Sequence, residues 1–405
     1  MNDLVLVLNA GSSSLKYQLL QPDSSLVLAS GLVERIGEPG TRARTRHTVG
    51  GGSTTEGEVD APDHTGAMAL VLDLFATVGP SLDGVTAVGH RVVHGGDRFR
   101  APTLVTSEVL AAIEDLVPLA PLHNPANLAG IRAAQAALPD VPHVAVFDTA
   151  FHQTLPPHAY TYAVPQAWRE EHRVRRYGFH GTSHAYVSRR LAELLGGPVA
   201  DAQVIVLHLG NGASAAAVAG GRCIDTSMGL SPLEGLVMGT RPGDLDPALA
   251  GYLAARGIPL ADYDHALNTA SGLLGLTGTN DFREVMSLLD AGNPDARLAV
   301  DLVAYRLAKY VGAYAVALGS LHGIAFTAGI GEHSAPLRAA VLARLGLLGI
   351  RLDPRRNAEG PPERPITTQD SAVPVWVVPT AEELEIAQQA LAALQALSAS
   401  EMPRL

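Results

Sequence analysis

Val5-Leu-Val-Leu-Asn9-Ala-Gly-Ser-Ser-Ser-Leu-Lys16-Tyr-Gln-Leu-Leu20 opens the chain, and Val204-Ile-Val-Leu-His208-Leu-Gly-Asn-Gly-Ala-Ser214 repeats its pattern near the middle. Each is an apolar strand that ends in a polar residue, then a turn of small residues, then more β-like sequence. Small residues let a backbone approach a ligand, and their N–H and hydroxyl groups suit phosphate oxygens. Ser12 and Ser14 are the candidates in the first loop, and Gly210, Asn211 and Gly212 in the second. Two such loops, one per half, predict a duplicated α/β fold that closes on a nucleotide. Lys16 strengthens the reading, because lysine occurs only there and at Lys309, and a lysine serves phosphate as a mobile point charge. The first loop lacks the G-x-x-x-x-G-K-[ST] spacing and is not a Walker A loop.

A chain of 405 residues suffices for two α/β domains with a large core. The formal net charge of −11 speaks against a nucleic-acid partner. Cys223 is the only cysteine, which excludes an intrachain disulfide and a cysteine metal cage and suits a reducing compartment. The first residues lack a leader's basic region, and no apolar run reaches the roughly 18–20 residues of a membrane span. A cytoplasmic protein without a membrane partner is the expectation. Arg173, Arg175 and Arg176 read as a solvated loop.

Residues 5–20 read as strand, tight loop and strand, and residues 38–66 as polar hairpin or loop excursions. Residues 85–93 form a strand candidate that ends in Gly89-His-Arg-Val-Val-His-Gly-Gly96. Thr106 or Ser107 caps a helix, and Asn124-Pro125 reads as a cap followed by proline at the first helical position. Residues 143–147 form a buried-type strand with Asp148 at its edge. After the strand at 204–207 comes a long irregular stretch, 224–247, of the kind that carries function. Asn280 or Thr279 caps a helix from Asp281, and 301–321 is a helix apolar nearly all round and therefore buried. A strand at 324–328, a helix from about Ser334 and a closing helix at 382–397 complete an α/β pattern with ligands expected at strand C-terminal ends.

Asn9, Arg91, Asp148, His208 and Gly329 fall at those ends. Arg91 lies in an apolar strand end and Arg241 in Met238-Gly-Thr-Arg-Pro-Gly-Asp244. A guanidinium in such surroundings needs an anion, either a protein carboxylate or a ligand. His90, His94, His123, His180, His184 and His208 concentrate in predicted loops. His180-Gly-Thr-Ser-His184 has i,i+4 spacing, but Gly181 argues against a zincin-like helix, so hydrogen bonding to phosphate is the better use. Asp148 and Glu382 are candidate Mg²⁺ anchors, since Mg²⁺ takes one or two carboxylates and keeps waters and phosphates as its other ligands.

These blocks, with Pro121-Leu-His-Asn-Pro125, Phe147-Asp-Thr-Ala-Phe-His152, Arg176-Tyr-Gly-Phe-His180, Met228-Gly-Leu-Ser-Pro-Leu-Glu-Gly235 and Phe326-Thr-Ala-Gly-Ile-Gly-Glu332, resemble the acetate kinase family in order from residue 5 to about 387. The resemblance implies the fold shared with sugar kinases, chaperone ATPases and actin: two ribonuclease-H-like domains with a cleft between them. It implies an N-terminal domain of residues 1–150 plus about 384–405, a C-terminal domain of residues 151–383, and a homodimer. It also implies reversible phosphoryl transfer from ATP to acetate, giving acetyl phosphate and ADP. Propionate or butyrate as acceptor is the alternative within the family, and a protein-binding ATP switch the alternative outside it.

Carried over by motif, Arg91 and Arg241 would clamp the carboxylate and the phosphoryl group in flight, with His180 as donor and His123 and His208 beside it. Asn9, Asp148 and Glu382 would organise Mg²⁺, with Mn²⁺ able to replace it. Ser12, Ser14, Lys16, His208, Gly210, Asn211 and Gly212 would serve the phosphates of ATP. Asp281, Phe282, Arg283, Gly329, Ile330, Gly331 and His333 would receive the nucleoside. Val93, Leu122, Phe179 and Pro232 would wall the acyl pocket. Two positions depart from the family: His333 and Ala381 stand where asparagine is usual. The first bears on the adenosine side, and the second removes an amide beside Glu382.

Overall fold

A computed structural model of the chain describes residues 3–401. They form two compact units, one from the residues up to Phe151 together with those from Ala381 on, the other from His152–Thr380.

In the first unit β1 (Leu4–Gly11), β2 (Ser14–Gln21), β3 (Leu26–Glu34), β4 (Ala43–Val49), β5 (Ser53–Val59), β6 (Val85–Val92), β7 (Thr103–Leu104) and β8 (His143–Phe147) make one sheet, ordered 5-4-3-2-1-6-8-7. Val5 to Leu8 are all buried, the unbroken apolar run of a strand covered on both faces. On one face Leu6, Leu8 and Ala10 pack on α1 (His64–Thr77) and α3 (Asn124–Ala137), which flank α2 (Ser107–Glu114) in the chain. On the other, Val5 and Val7 meet Ile386, Ala387 and Ala390 of the closing helix Glu382–Glu401. Each such aliphatic side chain contributes about 1.5–3 kcal/mol on burial. Gly130 lets α3 come this close, since a Cβ there would lie 2.5 Å from that of Ala10.

In the second unit the sheet order is β11 (Arg222–Thr226), β10 (Ala213–Ala219), β9 (Gln203–Leu209), β12 (Gly323–Thr327), β14 (Val375–Val377) and β13 (Arg364–Pro365). Helix α4 (Gly181–Leu194) packs on β9 and β12, and the long helix α6 (Pro294–Leu318), which follows α5 (Phe282–Asp290), packs on the alanine-rich β10. The strand series 3-2-1-6-8 and 11-10-9-12-14 share one plan. The first three strands are antiparallel, and the next two run parallel to the central one. This is the ribonuclease-H-like sheet, present twice.

Both small-residue loops are hairpin tips. Gly11 pairs with Ser14 across the turn at Ser12 and Ser13, and Leu209 with Ala213 across the turn at Gly210–Gly212. Several local expectations are corrected. Asn124 lies inside α3 rather than capping it, because both ends of its amide are bound to the His94 backbone. Asp281, not Asn280 or Thr279, caps α5 by accepting from the Arg283 N–H. Helix α6 begins at Pro294 behind its Asn293 cap, and it is not buried all round: Leu298, Tyr305 and Val316 are exposed. Residues 181–184 are helical despite Gly181, which stands at the helix start, where a glycine costs little. Within the arginine run only Arg173 is exposed as a solvated loop would have it; Arg175 and Arg176 are packed. Arg176 donates to the carbonyls of Thr226, Ser227 and Met228 and pairs with Glu234, and Arg175 stacks 3.8 Å over Tyr160.

Candidate active site

In the first unit, parallel pairing sets the ends of β1, β6 and β8 side by side and brings Asn9, Arg91 and Asp148 to one edge. Arg91 donates through Nε and Nη2 to the two Asp148 oxygens at 2.9 and 2.7 Å, a bidentate pair whose carboxylate is fully buried. Burial alone would lower the Arg91 pKa, but the charges of Asp148 and Glu382 overcome it and raise it. Glu382 opens the closing helix, and the next residue, Glu383, pairs with Lys16. Lys16 is thus engaged with a carboxylate rather than poised alone in the first loop, where Ser12 is exposed and Ser14 half-buried. Val93 is half-buried, whereas Leu122 and His123 lie exposed just before α3.

In the second unit, His180 ends a turn in the left-handed region (φ 57°) at the start of α4. Its ring stacks on that of His208 from β9, with centroids 4.2 Å apart. Both rings lie near the second hairpin: a Cβ on Gly212 would fall 3.4 Å from His180 Nε2 and 2.8 Å from Arg241 Nη2. Arg241 donates Nη1 to the Pro232 carbonyl at 2.9 Å, and among the described residues it has no carboxylate partner. Burial lowers its pKa. Its loop is held from below, where Asp244 accepts from the Gly235 N–H and the Tyr310 hydroxyl and pairs with Arg306. Phe179 is buried and Pro232 half-buried.

A pocket of about 900 Å³ begins at Gly210 and Asn211 and continues between α5 and α7 (Ala328–His333). Phe282, Met286 and Leu289 line one side and Gly329, Ile330 and His333 the other. Asp281 and Arg283 stand at its rim as an exposed ion pair, and the Asp281 carboxyl is held down to about 2 by its bonds from Arg283. Gly331, within α7, is buried. The second unit therefore joins a polar, cationic hairpin to an apolar slot wide enough for a nucleoside. Twelve of the site residues expected from sequence come together here around the second hairpin and the slot: His180, His208, Gly210, Asn211, Gly212, Arg241, Asp281, Phe282, Arg283, Gly329, Ile330 and His333.

A sequence model of the acetokinase family matches residues 4–388. The chain belongs to the acetokinase family. Among its relatives, the acetate kinase of Leifsonia xyli subsp. xyli is 59% identical over 396 residues, covering 97% of this chain and 99% of that one. The acetate kinase of Deinococcus radiodurans is 53% identical over 387 residues, covering 95% and 96%. Of solved structures, Porphyromonas gingivalis acetate kinase superposes with a TM-score of 0.91 at 44% identity, covering 97% and 100%. A propionate kinase from Francisella tularensis does so with 0.91 at 40%, covering 96% and 99%.

For an acetokinase-family chain the metal question is one of donor chemistry. Among the described residues no three histidine, cysteine or acidic side chains gather as a cage. The oxygen donors of Asn9, Asp148 and Glu382 instead fit a hard cation that keeps most of its waters. Sequence reasoning missed the groups that hold the family's motifs in place. Asn127 of α3 accepts from the Val93 N–H and donates to the Ala10 carbonyl. Ser183 and Ser214 bond the Nδ1 atoms of His208 and His180. Asn127 carries a faint signal, a second asparagine one helical turn after Asn124 on an otherwise apolar stretch. The serines carry none.

Proposed function

We propose that this chain transfers the γ-phosphoryl group of ATP to acetate, reversibly, giving acetyl phosphate and ADP. A carboxylate oxygen attacks the γ-phosphorus in line as the bond to the ADP oxygen breaks, and the electron pair leaves with ADP. Acetate, with a pKa near that of a side-chain carboxyl at about 4.3, is already ionised at neutral pH, so no general base is needed. The difficulty is bringing anions together, and positioned cations and donors meet it. The observation that carries the reading is Arg241: a half-buried guanidinium without a carboxylate partner among the described residues, beside His180 and a glycine hairpin that opens on a nucleoside-sized slot. Such a group calls for an anionic ligand.

In this reading Arg91 orients the acceptor carboxylate, Arg241 and His180 receive the phosphoryl oxygens with His123 and His208 beside them, and Gly210–Gly212 cradle the nucleotide phosphates. Val93, Leu122, Phe179 and Pro232 bound the acyl group. Asn9, Asp148 and Glu382 would hold Mg²⁺, or Mn²⁺ in its place, which would neutralise phosphate charge. We also propose a cytoplasmic homodimer, supported by the exposed apolar residues Leu298, Tyr305 and Val316 on α6. Among the described residues no helix is long and apolar enough to cross a membrane. The Francisella propionate kinase keeps propionate as a second reading. A hydroxamate assay with ATP, Mg²⁺ and acetate, propionate or butyrate in parallel tests both. Acetyl hydroxamate should dominate with propionate weaker, since one methylene is worth roughly 1–3 kcal/mol. Product only from longer acids would favour the second reading, and no product from any acid would refute the first.

A further inference from the structure

Ser214, fully buried on β10, places its hydroxyl 2.9 Å from Nδ1 of His180 and 2.7 Å from Nε2 of His184. A hydroxyl has one hydrogen, so it donates to one ring and accepts from the other. His184 decides the direction. It is fully buried, and burial, reinforced by His152 and His208, lowers its pKa well below the usual histidine value. The ring is neutral and carries a single N–H. Its Nδ1 is buried and has no partner among the described residues. A proton there would be an orphaned N–H, which folded proteins avoid more strictly than an under-used acceptor. The proton therefore sits on Nε2 and is donated to Ser214 Oγ. The Ser214 hydrogen then goes to Nδ1 of His180, which must accept it. His180 is left with its own proton on Nε2, the nitrogen on the side of Gly212 and Arg241.

We propose that His184 and Ser214 are positioning residues that lock His180 as the Nε2–H tautomer, so that the neutral ring donates to the transferring phosphoryl group. The neighbouring ring repeats the device. Thr380 Oγ1 donates to Ser183 Oγ at 2.9 Å, which leaves the Ser183 hydrogen for Nδ1 of His208 at 2.8 Å. Two stacked imidazoles thus each have Nδ1 occupied by a serine hydroxyl. The opposite tautomer would turn a lone pair of His180 toward phosphate oxygens. Within this unit the titratable and charged groups facing His180 include His184, His208 and Arg241, and those facing His184 include His152, His180 and His208.

The inference rests on the reading of His180 as a phosphoryl donor, and the tests separate the two. In the full chain labelled with ¹⁵N-histidine, the His180 signals are assigned by their loss in His180→Gln. They should show an Nε2–H ring near neutral pH, persisting in Ser214→Thr and giving way to mixed tautomers in Ser214→Ala. An Nδ1–H ring in the unsubstituted protein would overturn the proposal. In kinetics, Ser214→Ala should lose about tenfold or more in kcat near pH 8. KM for acetate and ATP should stay within about twofold, and Ser214→Thr should restore kcat. No loss in kcat, or a loss that Ser214→Thr does not restore, would overturn the positioning role. An Nε2–H ring together with a fully active His180→Gln would instead remove His180 from the reaction and leave the relay standing.

Discussion

Arg91 and Arg241 are the same residue type in opposite electrostatic settings. Arg91 forms a bidentate pair with the buried Asp148, whereas Arg241 has only the Pro232 carbonyl and no carboxylate among the described residues. One chain thus holds an arginine paired with a buried protein carboxylate, Arg91, and one without a carboxylate partner among the described residues, Arg241. Their alanine variants should part company. Arg91→Ala abandons a buried carboxylate, which costs about 3–5 kcal/mol when a buried pair is broken from one side. Arg241→Ala removes a cation that has no charge to neutralise, so the melting temperature should hold or rise while kcat drops by about 10²-fold or more. Arg241→Lys should not recover that loss, because an ammonium cannot present two parallel donors to a phosphoryl group. Thermal melts and steady-state kinetics on the three variants check this. An Arg241→Ala protein with unaltered kcat would remove Arg241 from the reaction.

The hairpins are where local sequence and site geometry coincide. The β9–β10 tip is short because Gly210 donates its N–H to the Gly212 carbonyl and β pairing resumes at once. Gly212 does not have a positive φ, so alanine is acceptable to the backbone there. Its Cβ would nevertheless lie 2.8 Å from Arg241 Nη2. Gly212→Ala should then leave stability within about 1 kcal/mol and displace the end of a flexible side chain, with kcat falling roughly tenfold. A large drop in melting temperature would contradict that division. The paired strand–loop–strand units were legible in the sequence because apolar runs and small-residue turns are signals of consecutive residues. Asn124 was misread for a physical reason: an asparagine ahead of Pro125 looks like a cap, and its real partner, the His94 backbone, is thirty positions away. Arg176 was misread alike, since Glu234 and three carbonyls from another segment desolvate it. The catalytic candidates were visible and their supports were not. Asn127→Ala would leave the Val93 N–H and the Ala10 carbonyl without their partner, so it should cost about 1–3 kcal/mol, read as a lower melting temperature.

Across the whole molecule, neutral histidines are built into both units. His90 and His143 share a hydrogen bond of 2.8 Å between β6 and β8 in the first, and His184 lies under β10 in the second. Burial lowers the pKa of all three, with His143 adding to the shift of His90 and His152 and His208 to that of His184. In the unfolded chain these rings bind protons near the ordinary value of about 6.5. The unfolded state therefore holds more protons than the folded one once the pH drops below that value. Stability contributed by the neutral rings is complete above about pH 6.5 and is lost as the pH falls from there toward the lowered folded values, at up to about 1.4 kcal/mol per pH unit for each histidine. Melting temperatures should be level from about pH 8 to 7 and decline toward pH 5.5. Carboxylates contribute to such a decline further down, so a variant has to isolate the histidines. His90→Leu with His143→Leu removes two rings at once and replaces a polar pair by apolar side chains that can fill the same space. The double variant should show a shallower decline between pH 7 and 5.5 than the unsubstituted chain. If the two curves run parallel, the histidine pair does not set the acid limit of this fold.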